Sequence, residues 1–329
     1  MDLDKIKQRI GKDYRKHASR DLCVFASSIF GEVYVKTLKE LFGLQFPSIF
    51  WVVRKGNFMT FYRSEKDHQK FRKQIGEMAR DKVFSAFMAD KLKEYTDWFS
   101  KYLKNRSLVD AKEEFIDNYR IFFAYHVAVY WAGDYLAEHY PNLSDIIDAL
   151  QEAYAYNENV IPDVERYLAK QGVAHLTYKE VAGKFREVGI FFFIDMDDIN
   201  LYGKDLDEIE SYVISLSRID KDIKELKGLP VSQGKVQGKV QVIRDPNDLH
   251  MAEEGNIIVC GMTRPQFNHV LKNSLGIIAD EGNILSHAAI LARESQIPVV
   301  VRTGNATEVL KDGDMVELDA TEGIVRLLD

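Results

Sequence analysis

The sequence predicts two domains of different class: a mostly α N-terminal domain with small β-hairpins over residues 1–227, and an α/β domain over residues 228–329. Three observations predict this. A length of 329 residues suits two domains. Pro47, Pro141 and Pro162 are the prolines before residue 228, whereas Pro230, Pro246, Pro265 and Pro298 crowd into the remainder, where glycine and Val/Ile also rise. That step, near residues 226–230, coincides with a change from helical spacing to short apolar runs separated by turns.

The first domain opens with a charged segment. Leu22, Phe25, Ala26, Ile29 and Phe30 then recur at helical spacing, giving a helix from roughly Asp21 to Phe42 that stops at Gly43. Residues 49–53 and 58–62, aromatic and β-branched around Lys55-Gly56-Asn57, read as a β-hairpin. Charged helices follow from Glu65 to Tyr140, with breaks near Asn105 and Asp110. Further helices are expected over Leu150–Tyr156, Pro162–Gln171 and Tyr178–Arg186. A second hairpin joins Gly189–Ile194 to Ile199–Tyr202, and an amphipathic helix near Leu206–Lys227 leads to the boundary.

In the second domain, strand alternation over Val231–Ile243 is interrupted by Gly234 and Gly238. Strands are expected at Asn256–Cys260, Leu275–Ala279, Ile297–Val301, Met315–Leu318 and Gly323–Leu327. Short helices are expected to start at Asp248, over Phe267–Asn273 and over Ala306–Leu310, with a turn at Lys311–Asp314.

Composition narrows the function classes. A hydrophobic fraction of 46% with 29% charged residues is ordinary for a protein with a real core. A net charge of -7 gives no electrostatic case for nucleic acid or an acidic membrane. No apolar run reaches membrane-span length, and the charged N-terminus lacks the apolar core of a signal peptide. Cys23 and Cys260 lie far apart in apolar segments, without metal-ligand spacing. They read as buried reduced thiols, so a cytoplasmic location is expected.

The chemistry concentrates in Asp280–Glu294, between two apolar strands. Ser286 suits a helix N-cap, since its hydroxyl accepts from an orphan N–H of the first turn. His287 then occupies the first helical position, beside backbone donors and the positive end of the helix dipole. Helix N-termini bind phosphate, and neutral imidazole is a nucleophile near pH 7, so a histidine there can carry a phosphoryl group.

Other residues have a functional and a bland reading. Tyr119, Phe122, Phe123, Tyr125, His126, Tyr130 and Trp131 read first as helix core, with a ligand pocket as the alternative. His126 is read as a hydrogen-bonded core histidine rather than a general base. Asp195, Asp197 and Asp198 are read as solvated turn carboxylates rather than a metal site. Arg20 beside Asp21 is read as a structural pair rather than a phosphate contact.

The last hundred or so residues resemble the swivelling phosphohistidine domain of phosphoenolpyruvate (PEP)-utilising enzymes such as PEP synthase and pyruvate phosphate dikinase. The resemblance rests on Thr263-Arg264-Pro265, Asp280-Glu281-Gly282, Leu285-Ser286-His287-Ala288-Ala289-Ile290, Ala292-Arg293-Glu294 and Ile297-Pro298. It continues through Ala306-Thr307, Asp312-Gly313-Asp314, Asp319 and Gly323. It implies a β/β/α fold, a phosphorylated histidine at His287, and a domain that swings between a nucleotide-binding domain and a second site. Ser286 and Thr263 then become candidates to hydrogen-bond the phosphate, with N-cap and loop anchor as their structural alternatives. Gly282 supports the turn, and Arg293 either contacts the phosphate or pairs with a carboxylate. Two positions depart from the family: Asn283 and Arg302 both stand where glycine is common. The layout from Phe191 to Pro230 is similar, more loosely, to the helical substrate-binding segment of rifampicin phosphotransferase.

The sequence shows no glycine-rich phosphate loop, no ATP-grasp-like stretch and no barrel after the last strand. The expected donor is therefore a separate ATP-grasp-type nucleotide-binding protein. Mg²⁺ and ATP enter through that partner, with neither bound by this chain. A small-molecule acceptor is expected at the helical domain. The competing reading is a non-catalytic ligand-binding or regulatory protein that keeps the phosphohistidine fold.

Overall fold

The computed structural model describes residues 3–10, 14–21, 24–44, 48–54, 58–157, 159–174, 190–194, 197–201, 203–216, 223–244, 250–263, 270, 273–282, 292–293 and 295–328. The chain divides into two compact units, Met1–Ser217 and Arg218–Asp329. The division falls earlier than the composition step, because residues 225–227 pair within the C-terminal sheet.

The first unit is helical around one antiparallel sheet. Its helices are α1 (Leu3–Arg9), α2 (Val24–Glu32), α3 (Leu38–Phe42), α4 (Glu65–Met78), α5 (Lys82–Asn105), α6 (Leu108–His139), α7 (Ser144–Tyr156), α8 (Val160–Lys170) and α9 (Gly203–Leu216). A π-helical turn, Val33–Thr37, joins α2 to α3, and Gly43 ends α3 in the left-handed conformation. The strands are β1 (Tyr14–Asp21), β2 (Ser48–Arg54), β3 (Phe58–Ser64), β4 (Ile190–Ile194) and β5 (Asp197–Leu201), in the order β1-β3-β2-β4-β5.

Both expected hairpins form, but they are not separate. β2 pairs with β4, Ser48 opposite Ile194, so the hairpins share a sheet. β1 extends it along β3, Tyr14 opposite Ser64. This strand corrects the expected charged segment and moves the start of the next helix from Asp21 to Val24. Tyr14-Arg15-Lys16-His17-Ala18-Ser19-Arg20-Asp21 has almost no apolar alternation, so only its pairing with β3 makes it a strand.

The helices pack by their aromatic faces. α6 lies against α4, α5 and α7. Phe99 meets Phe115 edge-on with centroids 5.6 Å apart, and Phe30 meets Phe123 at 4.7 Å. Tyr119, Phe122, Phe123, Tyr125 and Trp131 are all buried, as the core reading expects. A buried ion pair joins Arg72 Nε to Asp134 Oδ2 at 2.6 Å. The break at Asn105 is present, and Ala111 (φ -145°) kinks α6 beside Asp110. One break was not expected: α4 ends at Met78, and Asp81 caps α5 by accepting from Val83 N and Phe84 N, both at 2.8 Å. The expected helix at Tyr178–Arg186 lies outside the described residues.

The second unit is a mixed sheet: β6 (Glu225–Lys227), β7 (Leu229–Ser232), β8 (Lys235–Ile243), β9 (Ile257–Cys260), β10 (Gly276–Ala279), β11 (Val299–Val301), β12 (Met315–Asp319) and β13 (Ile324–Leu328). Its order is β6-β13-β12-β8-β9-β10-β11-β7. The central strands β8, β9, β10 and β11 are parallel, and the flanking pairs are antiparallel. Burial on both faces explains their unbroken apolar sequences. Ile258, Cys260, Ile277, Ala279, Val299 and Val301 enter one core, while Ile257, Val259, Ile278 and Val300 enter the other. Gly234 (φ 142°) separates β7 from β8, whereas Gly238 stays within β8. The helix expected to reach Lys227 stops at Leu216, because Glu225–Lys227 pairs with β13 as a strand. The only described helix with an assigned cap in this unit is α10 (Ala306–Val309), within the expected Ala306–Leu310. The expected Phe267–Asn273 helix, and the start at Asp248, fall largely or wholly outside the described residues.

Gly76 of α4 packs directly against Tyr135 of α6. A Cβ there would lie 2.1 Å from Tyr135 Cδ1 of α6. Gly76→Ala is expected to lower stability by about 1–3 kcal/mol, read from the midpoint of urea denaturation, because an added methyl group must push these packed helices apart.

Candidate functional site

Parallel strands leave their following loops at one end of the sheet, where open α/β sheets hold ligands. Here three loops meet: Gly261–Thr263 after β9, Asp280–Gly282 after β10, and Arg302–Asn305 after β11. The backbone laces them together. Asp280 N donates to Cys260 O at 3.0 Å and Glu281 N to Gly261 O at 2.9 Å. Thr303 N donates to Ala279 O at 3.2 Å, and Gly304 N to Asp280 O at 3.1 Å.

The Asp280 carboxylate completes the lacing. It accepts from Thr303 Oγ1 at 3.1 Å, from Thr307 N at 3.3 Å, and from Thr307 Oγ1. Thr307 stands in the first turn of α10, whose N–H groups lack intrahelical partners. A carboxylate there supplies an acceptor and a charge of the favoured sign. Sequence reading missed this role. The available signal was an acid at a strand end together with two threonines flanking a helix start.

Gly282 has φ 139°, in the region that favours glycine, and a Cβ would lie 3.1 Å from Val301 Cβ. Its carbonyl accepts from Arg302 Nε at 3.1 Å. Arg302 itself has φ 60°, a left-handed backbone that favours glycine.

His287 and Ser286 lie in the stretch 283–291, outside the described residues. Both ends of that stretch are held. Gly282 fixes the entry, as above. At the exit Ala292 is fully buried, and its carbonyl accepts from Ser232 Oγ at 3.2 Å and from Ile297 N at 3.0 Å. Arg293 is exposed, with its carbonyl accepting from Gln296 N at 3.2 Å. Thr263 is buried at the end of the loop after β9. Thus Thr263 and Gly282 belong to the laced loops, and Arg293 follows the exit point.

The remaining motif positions have turn chemistry of their own. Asp312 Oδ1 accepts from Val242 N at 2.6 Å, and Asp314 Oδ2 from Lys311 N at 2.8 Å. Gly313 (φ 88°) and Gly323 (φ 70°) take left-handed backbone. At Gly323 a Cβ would meet Gly228 O at 2.4 Å. Asp319 accepts from Thr321 N and Glu322 N, and these backbone bonds hold its carboxyl below the usual range.

Of two histidines in the helical unit, His68 is buried and His126 half-buried. His126 Nδ1 lies 2.8 Å from Asn157 Oδ1, as the core reading expects. His68 stacks edge-on against Trp131 at 4.4 Å, and burial beside the Arg63 charge pushes its imidazole down to about 3. Cys260 is buried, and Cys23 lies outside the described residues. Asp197 and Asp198 begin β5, while Asp195 lies outside the described residues. Arg20 and Asp21 close β1 rather than opening a helix.

The Asp280 network makes a direct prediction. Asp280→Ala is expected to cost about 1–3 kcal/mol by stranding the buried N–H and hydroxyl of Thr307, while Thr303 Oγ1 keeps Ala279 O as acceptor; Asp280→Asn, which keeps one acceptor oxygen, costs less. Thermal denaturation of both variants checks the ranking.

Comparison with known proteins agrees with this geometry. Residues 252–323 match the family described as PEP-utilising enzyme, mobile domain. The probable phosphoenolpyruvate synthase of Methanothermobacter thermautotrophicus is 46% identical over 100 residues, which cover 30% of this chain and 15% of that protein. The uncharacterized phosphotransferase YvkC of Bacillus subtilis is 42% identical over 101 residues, covering 31% and 12%. The phosphoenolpyruvate synthase of Pyrococcus furiosus is 45% identical over 100 residues, covering 30% and 12%. The chain thus spans only a small part of these relatives. Among the described residues no helix is long and apolar enough to cross a membrane. The stretch 252–323 is thus similar to the mobile domain of PEP-utilising enzymes.

Proposed function

We propose that this chain is a phosphoryl carrier: His287 takes a phosphoryl group from a separate ATP-grasp-type nucleotide-binding protein and passes it to a small-molecule acceptor. The observation that carries this reading is the run Leu285-Ser286-His287-Ala288-Ala289-Ile290, intact within the matched mobile domain. The described residues on either side support it: Gly282 accepts from Arg302 Nε, and Ala292 O accepts from Ser232 Oγ.

In the first step an imidazole nitrogen attacks phosphorus in line. The N–P bond forms as the P–O bond to the nucleotide breaks, with the leaving charge stabilised at the partner's Mg²⁺. In the second step an acceptor oxygen attacks the same phosphorus, the N–P bond breaks, and the imidazole is regenerated after the acceptor's proton leaves. A covalent intermediate divides one transfer into two, so one swivelling domain serves two sites. The helical unit is the proposed acceptor-binding part.

The test is to incubate the full chain with ATP, Mg²⁺ and an ATP-grasp partner, and separately with phosphoenolpyruvate. An acid-labile, base-stable phosphate on His287 is expected. His287→Ala is expected to lose the label while stability stays within about 0.5 kcal/mol of wild type. Absence of label with either donor would overturn the carrier reading in favour of a regulatory protein.

A further inference from the structure

The helical unit holds a cleft of about 380 Å³, lined by Glu94, Tyr95, Asp97, Trp98 and Lys101 of α5 and by Asn118 of α6. Volumes of about 300–1,000 Å³ suit small organic ligands. The α5 residues recur at helical spacing, so one stripe of that helix forms most of the wall.

Two aromatic rings of the cleft are backed by the core. Trp98 stacks on Tyr102 with centroids 4.6 Å apart, and Tyr95 stacks on Tyr125 at 6.2 Å. Tyr102 and Tyr125 are buried, whereas Tyr95 and Trp98 are half-buried. Each cleft ring is thus fixed from the core side while remaining partly exposed.

The same wall carries charge of both signs. Asp97 Oδ1 accepts from Tyr156 Oη at 2.6 Å, and Glu94 Oε2 accepts from Lys91 Nζ at 2.7 Å, which leaves each carboxylate a second oxygen. Asn118 Nδ2 donates to Glu114 O at 2.7 Å, which leaves its amide oxygen as an acceptor. Asp97 and Lys101 stand four residues apart, in the order that favours an ion pair along a helix. Asp97 turns to Tyr156 instead, and Lys101 forms no ion pair among the described residues.

This combination selects a ligand class. Two carboxylates repel an anion, and the lysine repels a simple cation. A neutral sugar would leave both kinds of charge without a counter-charge. We propose that the cleft binds a zwitterionic small molecule of amino-acid type. Its ammonium group meets Asp97 and Glu94, its carboxylate meets Lys101, and its apolar or aromatic side chain lies on Trp98 and Tyr95. An ammonium beside an indole face gains a cation–π attraction as well. The site lies wholly within the helical unit and its occupancy needs no phosphoryl donor, so the inference goes beyond the carrier reading and stands apart from it.

L-Phenylalanine is the probe. In the full chain, isotope-labelled at tryptophan for NMR, it is expected to shift the indole N–H signal of Trp98 saturably, that signal being identified by its loss in Trp98→Phe. Phenethylamine, which lacks the carboxylate, and hydrocinnamate, which lacks the ammonium group, are each expected to bind about tenfold more weakly. Asp97→Asn removes one charge but keeps an acceptor for Tyr156, and Lys101→Gln removes the other charge. Each is expected to weaken phenylalanine binding about tenfold at an unchanged thermal midpoint, since both side chains are exposed. Lys101→Arg, which keeps the charge, is expected to retain binding. Absence of a saturable Trp98 shift with phenylalanine overturns the proposal. So does phenethylamine or hydrocinnamate binding as tightly as phenylalanine, or wild-type affinity in Asp97→Asn or Lys101→Gln. Loss of binding in Lys101→Arg together with a lowered midpoint also overturns it, in favour of a role in helix packing. A His287 that takes no label leaves these results intact, so the two readings fail separately.

Discussion

The candidate site depends on the carboxylate of Asp280. It stands at the end of β10 and binds Thr303 and Thr307, which follow β11. Through its main chain the same residue joins the loop after β9, accepted by Cys260 O, and the loop after β11, where Gly304 donates to it. A single residue, through side chain and main chain together, thus links three strand ends and the start of α10. Without it, the buried Thr307 hydroxyl and its amide in a helix's first turn would lose their acceptor, an arrangement that costs more than the bonds are worth when made.

From that anchor the backbone turns at Gly282, tight against Val301 and held by Arg302, and leads into the His287 segment. The segment returns to the core at Ala292. Ala279 and Ala292 enter the same apolar cluster as Ile277, Ile297 and Val299. The helical unit has an independent basis for its order: a ladder of aromatic contacts from Phe30 through Phe123 to Phe99, and a buried Arg72–Asp134 pair. Removing one partner of such a pair would expose the other to full desolvation cost, so the two are mutually dependent.

Local signals were legible wherever a short stretch carried its own pattern. The Gly43 stop, the two hairpins, the buried apolar strands and the Lys311–Asp314 turn follow from neighbouring residues and appear in the structure. Elements defined by distant partners were not legible. β1 is too polar to alternate, and exists because β3 offers it a ladder. β6 continues an apparently helical charged run, yet pairs with β13 nearly a hundred residues later in the chain. The Asp81 cap ends one helix and begins another without glycine or proline to announce it.

By itself the sequence determined the apolar strands on either side of Asp280–Glu294 and the change of class between the two parts of the chain. These depend on residue type and spacing, which are local. The tertiary structure alone decided that the hairpins and β1 form one sheet, and that Asp280 serves Thr303 and Thr307. It also decided that Arg302 closes on the carbonyl of Gly282 from a left-handed backbone. Each of these joins residues far apart in the chain. A hydrogen bond between them has no signature in either neighbourhood until the parallel strands bring their loops to one end of the sheet.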